Sequence, residues 1–281
     1  MNILVLGSDS QIGNSLKEID IKKKYNFFSK KEFNINNYRL VKKKIYKFKP
    51  NVIINCAAYT NVEMAESFRK DTNKLNHLAV KNLAKMCFKI KCLLIHFSTD
   101  YVFGGEKNNP YKESSKTMPI NYYGKTKLLG EYAIKNSNCN YIIIRTSWLF
   151  SKYGSNFLKK VIDAKKKYME VVNDQIGNPT YAGELALAID HILTKRNILN
   201  TKNIFHFSGS KVCSWYDFAK IIVKLYIKKN IKFKKIIIPI SSNQLISKVN
   251  RPKYSVLNNK KFFNFFKFKK CKLEDNIRKV I

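Results

Sequence analysis

Short apolar runs alternate with stretches of helical periodicity through the first half of the chain, and this alternation constrains the fold more than any other feature. The apolar runs lie at residues 2–6, 25–28, 52–55, 92–97 and 141–145. Helical spacing of apolar residues lies between them. Strands that alternate with helices form a parallel sheet covered on both faces, with ligands at the carboxyl ends of the strands. The sequence therefore predicts an α/β protein with a Rossmann-type doubly wound parallel sheet.

The first strand, turn and helix predict a place for a phosphate at a helix N-terminus. The turn reads GSDSQIG from Gly7 to Gly13. A dinucleotide-binding loop has three glycines, and Ser10 stands where the middle one is expected. Serine is small and can donate a hydroxyl to a phosphate, but its side chain can also crowd a cofactor. The loop alone leaves both outcomes open.

A second motif lies between Thr99 and Lys127. Tyr123 and Lys127 are one helical turn apart, so phenol and ammonium share a helix face. A nearby positive charge favours phenolate and brings a tyrosine closer to the proton affinity of a general acid. Thr99, at the end of an apolar run, is placed to hold a substrate carbonyl. The Tyr/Lys spacing alone is weak evidence, because the chain has 16 Tyr and 54 Lys+Arg.

Composition narrows the function classes. The net charge is +35, but it comes from lysines spread along the chain rather than from clustered arginines, so we expect no specific nucleic-acid binding. The six cysteines form no C-x-x-C pair, which indicates free thiols in a reducing compartment. No apolar run approaches the ~20 residues of a membrane span, so we expect a cytoplasmic protein without membrane contact. The four scattered histidines predict no metal site.

The pattern loosens after Trp148, which suggests a smaller C-terminal α/β domain. We expect residues 1–148 to form the nucleotide-binding domain, with the chain returning to it at 179–208. Residues 149–178 and 209–281 would form a smaller substrate-binding domain. The aromatic and basic tail at 262–268 is expected to be a short helix with its aromatic face buried in that smaller domain.

Six segments together resemble motifs of one enzyme family. They are NCAAYTNVEMAES (55–67), HFSTDYVFGG (96–105), NYYGKTKLLGE (121–131), RTSWLF (145–150), DQIGNPT (174–180) and RPKYSVL (251–257). In their order and spacing, the chain resembles the extended short-chain dehydrogenase/reductases over nearly its whole length. Within them it is similar to the dTDP-4-dehydrorhamnose reductase family.

The resemblance implies hydride transfer from NADPH or NADH to the C4 ketone of dTDP-4-dehydro-L-rhamnose, giving dTDP-L-rhamnose for surface polysaccharide. Tyr123 would donate the proton to the nascent alkoxide. Lys127 would hold the nicotinamide ribose hydroxyls and lower the tyrosine pKa. Thr99 would bond the substrate oxygen where charge develops. Asp100 and Trp148 would complete a sugar site that also includes Thr99 and Tyr123.

The same resemblance implies the cofactor-binding residues: Gly7, Ser10, Gln11, Ile12, Gly13, Asn34, Ile35, Ala57, Ala58, Tyr59, Phe97, Tyr123 and Lys127. Lys30 and Lys31 suggest a modest preference for NADPH, because no acidic residue stands where a ribose 2′-hydroxyl would be bound. Some relatives hold magnesium through glutamates, but the match around Glu184 is out of step, so no metal is expected.

Two other functions stay open at this point. One is a regulatory subunit that kept the reductase fold and lost turnover, as in the beta subunit of methionine adenosyltransferase. The other is a nucleotide-sugar epimerase or dehydratase of the same superfamily. Ser10 in place of glycine favours the first, whereas Thr99, Tyr123 and Lys127 argue against it. The oligomeric state is open, with a homodimer as one option.

Overall fold

The computed structural model describes residues 1–21, 24–231, 233–247 and 249–281. The strands are β1 (Ile3–Leu6), β2 (Tyr25–Phe28), β3 (Val52–Asn55), β4 (Leu93–Thr99), β5 (Asn140–Thr146), β6 (Leu149–Phe150), β7 (Tyr168–Val172), β8 (Ile176–Gly177), β9 (Thr180–Tyr181), β10 (Lys202–His206), β11 (Cys213–Ser214) and β12 (Ile236–Ile240). The helices are α1 (Gln11–Ile19), α2 (Tyr38–Phe48), α3 (Val62–Ser67), α4 (Arg69–Asn73), α5 (Ala79–Lys89), α6 (Tyr122–Lys135), α7 (Phe157–Asp163), α8 (Ala182–Leu193), α9 (Trp215–Lys229), α10 (Lys260–Phe266) and α11 (Leu273–Arg278). A π-helical segment, Lys74–Leu78, joins α4 to α5.

The main sheet has the strand order β10-β5-β4-β3-β1-β2, and its paired strands are all parallel. Strand β2 lies on one side of β1, and β3, β4, β5 and β10 follow in that order on its other side. The register places Leu6 opposite both Phe28 and Asn55, so the loops after these three strands leave at one edge. A crevice forms at such a reversal of strand order.

Two apolar cores cover the two faces of this sheet, because successive side chains of a strand point to opposite faces. Val5 and Ile54 face one core, which α1 and α8 cover. Leu4 and Ile53 face the other, which α2 and α5 cover. The predicted doubly wound α/β fold is confirmed.

A third core lies among the C-terminal elements and includes Phe218 and Ile222 of α9. Short strand pairs accompany it: β7 with β12 in parallel, and β8 with β11 antiparallel. Helix α7, Phe157–Asp163, packs against this core through Leu158 and Val161.

The aromatic tail packs in another place than the sequence suggested. Phe262 and Phe266 of α10 belong to the core on the α1 and α8 face of the main sheet. The Phe262 ring lies 5.9 Å from Phe205 and 5.0 Å from Phe207, centroid to centroid. The expectation that this aromatic face is buried in the smaller domain is therefore wrong. An amphipathic helix specifies that one face is covered, but not which core covers it.

The composition led to expectations about cysteines, membrane-spanning helices and metal-binding side chains. The six cysteines are free thiols, and five of them are buried. Within the described residues, no helix has the length and apolar character needed to cross a membrane. The same residues contain no group of three or more His, Cys, Asp or Glu side chains that could hold a metal ion. Glu184 lies in α8, where its carboxylate accepts hydrogen bonds from the Cys271 backbone N–H and the Asn276 amide.

Candidate active site

A cleft of about 620 Å³ opens at the carboxyl ends of β1, β3, β4 and β5. Most of the sites predicted from the sequence lie along it. Those that line it are Gly7, Ser10, Gln11, Ile12, Asn34, Ile35, Ala57, Ala58, Phe97, Thr99, Asp100, Tyr123, Lys127 and Trp148. The structure therefore brings these predicted cofactor and substrate residues to one cavity.

Gly13 and Tyr59 are the two predicted cofactor residues that do not line the cleft. A Cβ on Gly13 would lie 2.7 Å from the Gly7 carbonyl oxygen and the Ser8 backbone, so this glycine allows helix and strand to pack closely. The backbone of Tyr59 is held by Asn76, whose amide accepts from its N–H at 2.8 Å and donates to its carbonyl at 3.0 Å. Both residues support the cleft from outside.

Ser10 has a structural function in the loop after β1. Its hydroxyl accepts the Gly13 N–H at 3.0 Å and caps α1. Its φ of −71° is open to any residue, so this position does not require glycine. Gly7 does require it, because its φ is +74° and a Cβ there would lie 2.6 Å from the Ala57 nitrogen. The loop therefore keeps the glycine that its geometry needs, and its serine caps the helix instead of closing the cleft.

Gln11 connects this loop to the chain beyond Trp148. Its Oε1 accepts from the Ser151 hydroxyl at 2.9 Å and the Asn156 amide at 3.1 Å. Its Nε2 donates to the Leu149 carbonyl at 3.4 Å. The first turn of α1 and the segment after β5 are thus held together at one wall of the cleft.

The other end of the cleft lies beside the loop after β2. Lys30 lines it together with Asn34 and Ile35, but Lys31 does not. The carboxylate of Glu32 accepts the Ser29 N–H and hydroxyl, both at 2.8 Å, which binds it to the loop itself. A cation rather than a carboxylate therefore faces the cleft at this end.

The start of α6 positions Tyr123. The Asn121 side chain caps the helix by accepting the Gly124 N–H at 2.8 Å, and Glu66 of α3 accepts the Tyr122 N–H at 2.7 Å. A Cβ on Gly124 would lie 2.2 Å from the Tyr101 carbonyl oxygen, so α6 can approach this closely only with glycine there. These contacts fix the first turn of the helix against the cleft.

The Tyr123 phenol is protonated and therefore neutral. Burial raises its pKa above the usual value, and the nearby Thr99 hydroxyl opposes the rise. The sequence predicted that Lys127 lowers this pKa, but the lysine is not among the groups that shift it. The physical reason is that the Lys127 Nζ is bound elsewhere: it donates to the Phe97 carbonyl at 2.6 Å and lies 3.3 Å from the His96 Nε2.

Two buried oxygens at the substrate end of the cleft lack hydrogen-bond partners among the described residues. They are the Asp100 Oδ2 and the Thr146 Oγ1. The other Asp100 oxygen accepts the Thr99 hydroxyl at 3.0 Å. Burial raises the pKa of Asp100 to about 7, although the nearby Ser255 and Thr99 hydroxyls oppose the rise. Unpaired buried polar atoms are costly, which fits a place where a polyhydroxylated ligand supplies the partners.

Trp148 forms an aromatic wall. Its ring stacks on Trp215 of α9, with centroids 3.5 Å apart and planes 8° from parallel. Trp148 has a φ of 47°, a region that bulky side chains rarely adopt, and such strain is often kept at functional sites. Behind the ring lies Gly177, where a Cβ would come within 2.5 Å of the indole. The DQIGNPT segment thus gives the indole its space.

Sequence reasoning assigned no role to several residues that line the cleft, including Tyr101, Thr146 and Trp215. Tyr101 follows Thr99 and packs edge-on against Tyr123 at 6.0 Å, and Thr146 ends β5, so both stood beside residues already singled out. Trp215 had no such signal. It begins helix α9 and reaches the cleft through tertiary packing.

Comparisons with a protein-family model, related sequences and a solved structure all indicate the same family. A family model described as the RmlD substrate binding domain matches residues 1–281. The chain is 39% identical over 224 residues to dTDP-4-dehydrorhamnose reductase of Aggregatibacter actinomycetemcomitans, covering 77% of this chain and 76% of the relative. It is 36% identical to the enzyme of that name in Sinorhizobium fredii, covering 80% and 78%. The structure of Bacillus anthracis dTDP-4-dehydrorhamnose reductase in complex with NADP superposes with a TM-score of 0.91 at 32% identity, covering 100% and 99%.

Proposed function

The chain belongs to the RmlD substrate-binding-domain family, that of the dTDP-4-dehydrorhamnose reductases, and from this premise we infer that it is an NAD(P)H-dependent oxidoreductase of nucleotide sugars. The reaction is reduction of the C4 ketone of dTDP-4-dehydro-L-rhamnose to dTDP-L-rhamnose, a precursor for surface polysaccharide. The observation that carries this proposal is the convergence of Thr99, Tyr123 and Lys127 in the one cleft that also holds the glycine loop.

The described residues fit a dinucleotide. Gly7 lets the backbone of the first loop approach the loop after β3, and the N-terminus of α1 faces the cleft through Ser10 and Gln11. Asn34 and Ile35 would hold the adenosine end, and Ala57, Ala58 and Phe97 would line its middle. When bound, the reduced nicotinamide supplies the hydride.

Tyr123 is the proton donor in this proposal. A ketone that accepts hydride becomes an alkoxide, which needs a proton from a nearby acid. The Tyr123 phenol carries that proton throughout the neutral range, because burial raises its pKa. Thr99 and Tyr123 line the same cleft, and the Thr99 hydroxyl is close enough to the phenol to oppose the rise of its pKa. Both groups can therefore act where charge would develop on the substrate oxygen.

The sugar would lie between Asp100 and the Trp148 indole. The free Asp100 Oδ2 and the Thr146 hydroxyl are acceptors and donors for sugar hydroxyls, and the stacked indoles offer an apolar face. Lys127 supplies the positive charge on the α6 face next to Tyr123. We propose that Lys127 also holds the ribose hydroxyls of the cofactor.

The direct test is turnover. Purified protein incubated with dTDP-4-dehydro-L-rhamnose should consume the reduced cofactor, with loss of its absorbance, and should form dTDP-L-rhamnose. With NADPH and no keto sugar, the absorbance should stay constant. Absence of turnover with both NADPH and NADH, in protein that binds either cofactor, would favour the regulatory-subunit alternative that Ser10 once suggested.

The proposal also covers the compartment, the assembly and the partners of the protein. We place the reaction in the cytoplasm, supported by six free thiols, of which Cys87 and Cys92 interact without forming a disulfide. A homodimer is one option for the assembly, and sedimentation of the purified chain tests it. Nucleic acid is not a partner in this account, and any attraction to DNA should fade with salt.

A further inference from the structure

A row of three buried side chains runs from Lys127 at the cleft to two residues behind it that the proposed mechanism does not use. They are Asn55 at the end of β3, His96 in β4 and Lys127 in α6, with exposed fractions of 1%, 0% and 2%. The Asn55 Nδ2 lies 3.1 Å from the His96 Nδ1, and the His96 Nε2 lies 3.3 Å from the Lys127 Nζ. A lysine against a buried histidine is an unusual pair, because both carry positive charge when protonated.

The orientation of Asn55 determines the tautomer of His96. The Asn55 Oδ1 accepts the Ala57 N–H at 3.2 Å, so its Nδ2 is the atom that faces the imidazole. An amide NH₂ only donates, and the His96 Nδ1 must therefore accept. Burial and the nearby lysine lower the pKa of His96 well below the usual value, so the ring is neutral. A neutral imidazole with an accepting Nδ1 carries its proton on Nε2.

The Nε2–H group is thus directed at Lys127. An ammonium has three donors and no acceptor, whereas a neutral amine has a lone pair. The contact with His96 is a hydrogen bond only when Lys127 is neutral, and it is repulsive when the lysine is protonated. The Phe97 carbonyl at 2.6 Å accepts from Nζ in either state.

Other charged groups near Lys127 do not cancel this effect. Glu131, one turn further along α6, favours the ammonium, but it is itself paired with Arg145 of β5 at 2.7 Å and accepts the Ser98 hydroxyl at 2.5 Å. Tyr123 on the same helix is neutral. Burial, opposed by Glu131, lowers the pKa of Lys127 to about 8, so both charge states are accessible near neutral pH.

We propose that His96, held as the Nε2–H tautomer by Asn55, is a positioning residue that docks the neutral amine of Lys127 and repels its ammonium towards the cleft. The position of Lys127 is then coupled to its charge. The consequence for catalysis rests on the proposed function, because there the ammonium is the form that serves beside Tyr123. Activity should accordingly be full where Lys127 is charged and fall as the pH rises past its pKa.

The first test uses the cofactor-free wild-type protein and the ¹⁵N shifts of its four histidines, with His96 assigned through its connectivity to the sequentially assigned backbone resonances. His96 should be neutral and protonated on Nε2 throughout the range from about pH 6 to about pH 9. A proton on Nδ1, or a cationic ring in that range, would overturn the proposal. No variant has to fold for this test to decide.

The second test follows the side-chain NMR signal of Lys127, assigned as the one lost in Lys127→Met. In His96→Gln its titration midpoint should move up by about one pH unit, because a glutamine oxygen accepts from the ammonium. His191→Gln, which changes a histidine of α8 bonded to the Phe266 carbonyl, should leave the midpoint unchanged. An unchanged midpoint in His96→Gln would contradict the proposal.

Activity measurements link this behaviour to catalysis. The alkaline fall of kcat should move upward in His96→Gln by the same interval as the Lys127 midpoint, and it should not move in His191→Gln. The two proposals can fail separately. A protein without reductase activity but with Nε2–H on His96 would end the proposed function alone, and an active enzyme with the opposite tautomer would end this inference alone.

Discussion

Single side chains in the cleft differ in how far their chemistry follows from residue type. The Tyr123 and Lys127 spacing is readable from the chain, since a helix places residues one turn apart on one face. The proton affinities of the two side chains cannot be read from the sequence. The Tyr123 pKa is raised by burial, and the Lys127 amine binds Phe97 and His96, and both effects depend on the neighbours that the fold provides.

Tyr123→Phe should lower kcat by about 10²–10⁴-fold, the usual effect of removing a general acid. Binding of NADPH, followed by fluorescence, should change little, because the ring and its edge contact with Tyr101 remain. The neighbouring Tyr122 packs on the Arg69 guanidinium and does not line the cleft, which makes Tyr122→Phe a matched control with near wild-type turnover. Full activity in Tyr123→Phe would remove this residue from the mechanism.

Lys30→Ala should reduce the preference for NADPH over NADH by about two- to fivefold, the effect of one exposed charge pair. The reason is that Lys30 faces the end of the cleft where the 2′-phosphate would lie. Lys31→Ala is the control, because that lysine is adjacent in sequence but does not line the cleft. Steady-state kinetics with both cofactors decides the point. Equal effects of the two variants would show that only overall charge matters.

Asp100→Asn should stabilise the protein more at high pH than at low pH. Burial raises the pKa of Asp100 from 3.8 to about 7, so the folded state binds more protons than the unfolded state between these values. The wild type therefore loses stability as the pH rises through that range. The advantage of the variant in free energy of unfolding should grow by about 1–3 kcal/mol between about pH 5 and about pH 8.

Denaturant titrations at the two pH values measure this difference. Asp174→Asn is the control with the opposite sign, because hydrogen bonds from Ser242 lower the Asp174 pKa below its usual value. Its effect should be destabilising and constant between the same pH values, since both states are then ionised. If the difference in free energy of unfolding between Asp100→Asn and the wild type is the same at both pH values, Asp100 is already ionised in the folded protein at the lower pH.

Whole elements were the most predictable level of this chain. Strands β2 and β3 begin and end at the residues that the apolar runs indicated, and helices lie between the strands as expected, since the periods of 2.0 and 3.6 residues are written in the sequence. The partner of each face is not written there. For this reason α10 was assigned to the wrong core, and the stacking of α9 on Trp148 was not foreseen.

Gly177→Ala tests the element that supports the aromatic wall. The new methyl group would lie 2.5–2.8 Å from the Trp148 indole, which must shift away from Trp215. The KM for the nucleotide sugar should rise by about tenfold, the loss expected for a disturbed aromatic contact of ~1.4 kcal/mol. Cofactor binding should be unchanged, because the other end of the cleft is untouched. An unchanged KM for the sugar would exclude the indole from the substrate site.

The molecule as a whole places its chemistry where the strand order reverses. β1 and β3 lie side by side at the centre of the sheet, so their loops, with Gly7 and Ala57, form the floor of the cleft. The segments beyond β5 supply the opposite wall through the Gln11 contacts with Ser151 and Asn156. The sequence indicated the sheet and its active edge. The closure of the cleft by distant segments required the folded chain.

In the proposed reaction this cleft transfers a hydride to the C4 carbon of a nucleotide sugar. The transfer can be followed with NADPH deuterated at the transferable position of its nicotinamide, with dTDP-4-dehydro-L-rhamnose as the acceptor and NMR of the isolated product. We expect dTDP-L-rhamnose with deuterium at C4. A sugar product without deuterium, or with deuterium at another carbon, would contradict it.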